Sequence, residues 1–376
     1  MGEPRPHSAL DRLARAEVLE KGVARAVALG VAVWAGGRWE VEVGSAGQAN
    51  RSAASESTVF DLASVSKSFV AATFARLLEQ RVVAADSRLG ELVPEVSGTR
   101  AAGATLEALL SHRAGLRAHV RLYAPLEAQR SLERSEALRL AASSLHADSA
   151  DTAFPPIYSD LGYLLAGEAL SRAAKLPLDE LVLREVSQPL GLAARSARQW
   201  LRAPERFLAR VAPTEHVEFR GGELIGVVHD ENAWAFAGHG LAGQAGLFAT
   251  VRDVLGFGKA LLDARAGRDS SWLSAATLHH LLAERPGGTL RLGFDGKSAG
   301  PSAAGPRASA LTFGHLGFTG TSFWCDPAAD AVGVLLTNRV CPSRENVAIR
   351  SCRPLVHDAL FALAESTRRA AQEGLR

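Results

Sequence analysis

Strand-like segments stand at the two ends of this chain and helical periodicity fills its middle, so a sheet started by one end must be finished by the other. The first signal is the apolar run Val27 to Trp34, then Gly36-Gly37, then Trp39, Val41 and Val43 alternating with Arg38, Glu40 and Glu42: a β-hairpin with one wet face. The last signals are Leu290 to Phe294, Leu311 to Leu316, Thr321 to Cys325 and Ala331 to Thr337. Between them Phe69, Val70, Phe74, Leu77 and Leu78 give Ser66 to Gln80 a helical period, and further helices are expected near 105–111, 131–145, 160–173 and 252–263. An amphipathic helix capped by Ser8 opens the chain, within Ser8 to Ala26, and another covers Val347 to Ala370. The simplest assembly is one α/β unit from residues 1–80 and 265–376, interrupted by a mostly helical insert at 81–264, with the active site between them.

At 376 residues and 47% hydrophobic, the chain can bury a full core. Its 42 basic against 40 acidic side chains leave no electrostatic footprint of a nucleic-acid or membrane-surface protein, so neither partner is expected. No run approaches a membrane-spanning length, and the start lacks the apolar core of a secretory signal, which predicts a cytoplasmic protein. Cys325, Cys341 and Cys352 have no metal-binding spacing and fit reduced thiols. Only five of the 42 basic residues are lysine: Lys21, Lys67, Lys175, Lys259 and Lys297.

Lys67 carries chemistry. Ser64-Val65-Ser66-Lys67 opens a helix, and residues three apart share a helix face, so the hydroxyl and the amine can meet. A serine becomes a nucleophile when a base takes its proton, and an amine serves if burial or neighbours leave it partly neutral; arginine could not. A helix N-terminus also aims its positive end at a developing oxyanion. Tyr158, one of three tyrosines, stands before a helix and after the extended Phe154-Pro155-Pro156, at a loop tip. Gly314-His315-Leu316-Gly317-Phe318-Thr319-Gly320-Thr321 is a glycine-rich turn between strands, an edge along which a substrate can lie.

Taken together these segments resemble the penicillin-recognising serine hydrolases: class C β-lactamases, D-alanyl-D-alanine peptidases and their esterase relatives. Ser64-Val65-Ser66-Lys67 is similar to that family's first motif, Tyr158-Ser159-Asp160 to its tyrosine motif, and His315-Leu316-Gly317 to its lysine-threonine-glycine motif; Leu109 to Leu116 and Ala242 to Thr250 resemble its spacers. The resemblance implies a β-lactamase/transpeptidase-like α/β (α+β) fold: an antiparallel sheet flanked by helices, with an inserted, mostly helical domain. It implies Ser64 as acylated nucleophile, Lys67 as its base, Tyr158 as proton relay, and an oxyanion hole from the backbone N–H groups of Ser64 and Phe318. Asp160, His315, Gly317 and Arg339 would contact a small ester, amide or β-lactam substrate, with neither cofactor nor metal.

Two departures point away from penicillins. His315 and Leu316 stand where lysine and threonine usually grip a carboxylate, and histidine is mostly neutral near pH 7. Asp160 replaces the common asparagine, adding a negative charge that repels a carboxylate and can hold Lys67 protonated. Arg339 could restore an anion contact, although a surface arginine after a strand is the plainer reading. Gly296-Lys297-Ser298-Ala299-Gly300 matches a nucleophile-elbow pattern, but Pro301 and Pro306 deny it the following helix. His229-Asp230-Glu231 with His239 lacks ligand spacing for a metal and reads as a packed loop near the site. The expected protein is a carboxylesterase-like serine hydrolase. A β-lactamase or D-aminoacyl peptidase comes second, and a catalytically weak penicillin-binding-type sensor is the reading from another class.

Overall fold

The computed structural model describes residues 8–146, 156–269 and 271–373. Phe154 and Pro155 of the segment read as extended lie outside the described residues. Helix α1 (Ala9–Ala14) is closed by a capping box in which Asp11 N–H donates to Ser8 Oγ at 3.0 Å and Ser8 N–H to Asp11 Oδ2 at 2.9 Å. The opening helical stretch stops at Leu19, short of Ala26, because Gly22 at φ +64° turns the chain into the sheet. Strands β1 (Ala26–Ala35) and β2 (Arg38–Gly47) form the expected hairpin, with Gly36 and Gly37 at φ +58° and +80° between them.

The other strands of this sheet come from the far end: β3 (Asp295–Gly296), β4 (Phe313–Leu316), β5 (Ser322–Asp326) and β6 (Ala331–Thr337). The order is β2-β1-β6-β5-β4-β3, every neighbour antiparallel, so the first strands and the last pair directly through Val27↔Thr337 to Val33↔Ala331. β1 is apolar throughout because both its faces are covered. Val27, Leu29, Val31 and Val33 belong to the core shared with α1 and the last helix, and Ala26, Ala28 and Ala32 to the larger core on the other face. A Cβ on Gly30 would come within 2.6 Å of the Leu255 side chain, so glycine lets a crossing helix lie directly on the sheet.

One strand differs from expectation. Leu290 to Phe294 does not form a strand; Leu290 only bridges Asp295 across a turn at Gly293, and pairing starts at Asp295. The reason is the helix beneath: a Cβ on Gly293 would lie 2.1 Å from that of Ala71.

Four helices position the site. α2 (Ser66–Glu79) runs through the larger core, buried without interruption from Ser66 to Ala75. α3 (Asp160–Ala174) is capped by Ser159, α4 (Val251–Ala266) crosses β1, and α5 (Ile349–Glu373) covers the opposite face. The strand pair Phe60–Asp61 and Leu247–Ala249 joins the segment entering α2 to the middle of the chain. Among the described residues no helix is long and apolar enough to cross a membrane.

Candidate active site

Ser64 lies in the single tight turn Ala63–Val65 that leads into α2. Ala63 is held at φ +46°, a left-handed conformation that costs a non-glycine residue of order 1 kcal/mol. Surrounding ties hold it there. Ala63 N–H donates to Asp61 Oδ1 at 2.8 Å, Thr319 Oγ1 donates to the Asp61 carbonyl at 2.7 Å, and Thr321 Oγ1 to the Leu62 carbonyl at 2.9 Å. The serine turn and the β4–β5 turn are thus pinned to each other. Gly317 is required at that junction, because a Cβ would sit 2.5 Å from the Leu62 carbonyl oxygen.

Lys67 is fully buried one turn on. Its Nζ donates to Ser64 Oγ at 2.8 Å, to Asp160 Oδ1 at 2.7 Å and to the Gln244 carbonyl at 3.4 Å. Burial alone would drive its proton off, but the Asp160 carboxylate and the Tyr158 oxygen outweigh it and raise the lysine pKa. Of the two effects expected on Lys67, burial toward a neutral amine and Asp160 toward a cation, the second prevails, and the resting amine is a cation.

Tyr158 precedes the cap of α3 and is 37% exposed toward the cavity. Its hydroxyl is near enough to Lys67 and Ser64 for both to favour the ionised phenol, and Lys67 Nζ lies 4.8 Å from the ring centroid. Burial raises the phenol pKa, with the Lys67 charge pulling the other way, so the resting tyrosine is neutral. The ring stacks on His112 at 4.5 Å, and His112 Nδ1 accepts the Ser159 N–H at 2.9 Å, which fixes tyrosine and cap as one piece. His112 is neutral because burial and the nearby lysine both oppose its charge.

Ser64, Tyr158, Asp160, His315, Gly317, Phe318 and Arg339 all line one cavity of about 590 Å3. His315, 4% exposed, has its ring 6.0 Å from that of Tyr158. Phe318 stands 48% exposed at the rim, its ring stacked on His229 at 5.7 Å and covered by the Arg339 guanidinium at 4.4 Å. The surface reading of Arg339 is wrong. The residue is 7% exposed and its donors go to the carbonyls of Phe318, Arg344 and Asn346, because the backbone around it has oxygens to satisfy. It braces the Phe318 turn and contributes its charge to the cavity wall.

Sequence reasoning missed the supports. Asp61 bridges the serine turn to the N–H of His229, 2.8 Å from Oδ2; His229 pairs with Glu215 at 2.9 Å, and Glu215 with Arg344. Arg353 on α5 donates to the carbonyls of Gly317 and Thr321. These residues come from three distant stretches of chain, around 61, 215–229 and 344–353, and no local pattern marked them; only the unexplained cluster His229-Asp230-Glu231 gave a signal. Among the described residues no group of three or more potential ligands could hold a metal ion. Ser298, in the elbow-like pattern, donates to the Pro301 carbonyl in a loop with no helix after it.

A serine, a lysine one turn on, a tyrosine ahead of a second helix and a glycine-bearing edge strand thus meet at one cavity. The Beta-lactamase family model matches residues 15–351. This chain belongs to the Beta-lactamase family. An N-acetylmuramyl-L-alanine amidase of Bacillus subtilis (strain 168) is 29% identical over 245 residues, 61% of this chain and 55% of its own length. The chain spans about half the length of the curated relatives it matches. A class C beta lactamase from Rhodobacter sphaeroides superposes with a TM-score of 0.67 at 17% identity, over 94% of this chain and 100% of its own. The structure described as EstCE1, a hydrolase with promiscuous acyltransferase activity, gives 0.64 at 22% identity over 93% and 100%. At these identities the structural likeness speaks for the fold alone.

Proposed function

We propose that the protein is a metal-independent serine hydrolase of the class C-like, esterase-related branch, forming an acyl-enzyme on Ser64 of the Ser-x-x-Lys motif. The observation that carries this is the 2.8 Å contact of Ser64 Oγ with a buried Lys67 whose Nζ lies 4.8 Å from the Tyr158 ring, at the floor of an open cavity. Because Lys67 is cationic at rest, the cluster of Lys67, Asp160 and Tyr158 holds one mobile proton. In acylation Lys67 passes a proton across 2.7 Å to Asp160 and its freed lone pair takes the proton of Ser64 as Oγ attacks the carbonyl. Tyr158 delivers a proton to the departing oxygen or nitrogen and is reprotonated from Lys67, which is left neutral. In deacylation Tyr158 takes a proton from the attacking water as it passes its own to Lys67, Lys67 returns one to the departing Ser64 Oγ, and Asp160 gives back the proton it held. The N–H groups of Ser64 and Phe318 receive the oxyanion, an arrangement in which one donor is typically worth about 10²–10³ in rate. Residues 81–264 act as the helical insert that closes the site against the sheet built from 1–80 and 265–376.

A neutral ester or amide fits this cavity better than a β-lactam carboxylate, since His315 and Leu316 replace a charged donor and a hydroxyl. Peptide or D-aminoacyl amides are the second reading, favoured by the amidase relative. The buried thiols of Cys325, Cys341 and Cys352 suit a reducing, cytoplasmic location. Incubation with p-nitrophenyl butyrate, a chromogenic cephalosporin and a fluorophosphonate probe, followed by intact mass, tests the assignment. The expected result is ester turnover above cephalosporin turnover and a single adduct lost in Ser64→Ala. Cephalosporin as the better substrate reverses the order of readings, and labelling without turnover points to a sensor.

A further inference from the structure

We propose that His315 selects substrates carrying an uncharged hydrogen-bond donor, a hydroxyl or an amide N–H, beside the scissile carbonyl, and disfavours those carrying a carboxylate there. This rests on the hydrolase reading above and deepens it by naming the substrate class.

The geometry settles the polarity of the ring. His315 Nδ1 lies 2.8 Å from the Leu316 carbonyl oxygen, and a carbonyl only accepts, so in the neutral ring Nδ1 carries the proton. The lone pair is then on Nε2, which has no hydrogen-bond partner among the described residues, while the residue itself lines the cavity. His315↔Phe323 and Leu316↔Ser322 continue the β4–β5 ladder, whereas the β3 pairing ends at Gly314, so His315 stands where the sheet edge opens beside Ser64. Burial, with the Lys67 charge, lowers the ring pKa to about 3, so Nε2 is too weak a base to move protons near neutral pH and acts as an acceptor. Lys67 and Asp160 bear on this ring with opposite charges and Arg353 adds a further positive one, which disfavours an ammonium donor and leaves hydroxyl or amide. A carboxylate would meet the ring lone pair to lone pair. The position where relatives keep a donor for anions has become an acceptor for neutral donors.

Three p-nitrophenyl esters of matched length test this: N-acetylglycinate, levulinate with CH2 in place of the N–H, and monosuccinate with a terminal carboxylate. After subtraction of spontaneous hydrolysis, wild type should prefer N-acetylglycinate to levulinate by about tenfold in kcat/KM, the worth of one net hydrogen bond, with monosuccinate poorest. In His315→Leu the N-acetylglycinate/levulinate ratio should fall about tenfold, and in His315→Lys monosuccinate should become the preferred ester. Ratios within one variant cancel a general loss of activity. An unchanged ratio in His315→Leu, or monosuccinate preferred by wild type, overturns the proposal. If no ester is turned over, the hydrolase reading fails and binding decides this one: Ser64→Ala should hold N-acetylglycinamide about tenfold tighter than levulinamide, and equal Kd values overturn it. 15N spectra of the His315 ring give an independent readout, and a proton on Nε2 would also overturn it.

Discussion

Two serine–base pairs lie in this protein at the same 2.8 Å separation, one on each face of the sheet. Lys67 meets Ser64 where α2 begins, and His357 of α5 meets Ser322 of β5. By chemistry alone the second is the more familiar nucleophile and base. Yet Ser322 and His357 are wholly buried, the other ring nitrogen of His357 has no partner among the described residues, and burial lowers the ring pKa to about 3. Ser64 opens onto a cavity of about 590 Å3, and its base is backed by Asp160 and Tyr158. Access and a third partner, more than the contact itself, separate a site from a packing interaction.

The widest separation between the pairs should appear on removing each serine. Ser64→Ala should lower ester turnover by about 10⁴-fold or more and abolish fluorophosphonate labelling, whereas Ser322→Ala should change the melting temperature and leave the labelled fraction as it was. Labelling that depends on Ser322 would reverse the assignment. Next, Lys67→Arg keeps the positive charge but cannot release a proton, so kcat should fall by about 10³-fold; a residual rate near wild type would remove lysine from the proton path. Asp160→Asn should cost about 10- to 100-fold near neutral pH. That loss should shrink as pH rises, because without the carboxylate burial depresses the lysine pKa and the amine deprotonates to solvent. A deficit constant with pH would mean that Asp160 only binds substrate.

The smallest effect concerns acid stability. His357 has a folded pKa of about 3 against an ordinary 6.5, so between those values the unfolded chain binds the extra proton and stability falls as pH falls. His315 contributes a loss over the same window. Each such histidine costs up to about 1.4 kcal/mol per pH unit. Glu215 behaves oppositely in origin: burial opposes its charge, but His229 and Arg344 lower its pKa from 4.5 to about 2. Its stabilisation is complete above 4.5 and lost as pH drops toward 2. Urea titrations should therefore show His357→Gln flattening the slope from 6.5 downward and Glu215→Gln flattening it only below about 4.5. Identical slopes in all three proteins would refute these environments.

Much of the fold was legible because it rests on local patterns. The hairpin at Gly36-Gly37, the buried face of α2, the cap at Ser8 and strand β6 each follow from periodicity or a turn residue within a short window. The failed strand at Leu290 to Phe294 was apolar for another reason: it lies against α2, a contact no window of that length contains. The charge of Lys67 was left open between burial and Asp160 for the same cause, since its state depends on a contact with a residue 93 positions away. Arg339 was read as exposed because arginines usually are, whereas the carbonyls of Phe318, Arg344 and Asn346 draw it inward.

The order and spacing of Ser64, Lys67, Tyr158 and His315, with the strands of the main sheet drawn from the two ends, are properties of the sequence, because side-chain chemistry and helical period act over a few residues. The protonation of Lys67, the tautomer of His315, the brace formed by Asp61, His229, Glu215 and Arg344, and the silence of Ser322–His357 were decided only by the tertiary structure. Each depends on burial and on charges brought together from distant parts of the chain, and electrostatics in a dry interior is set by neighbours in space.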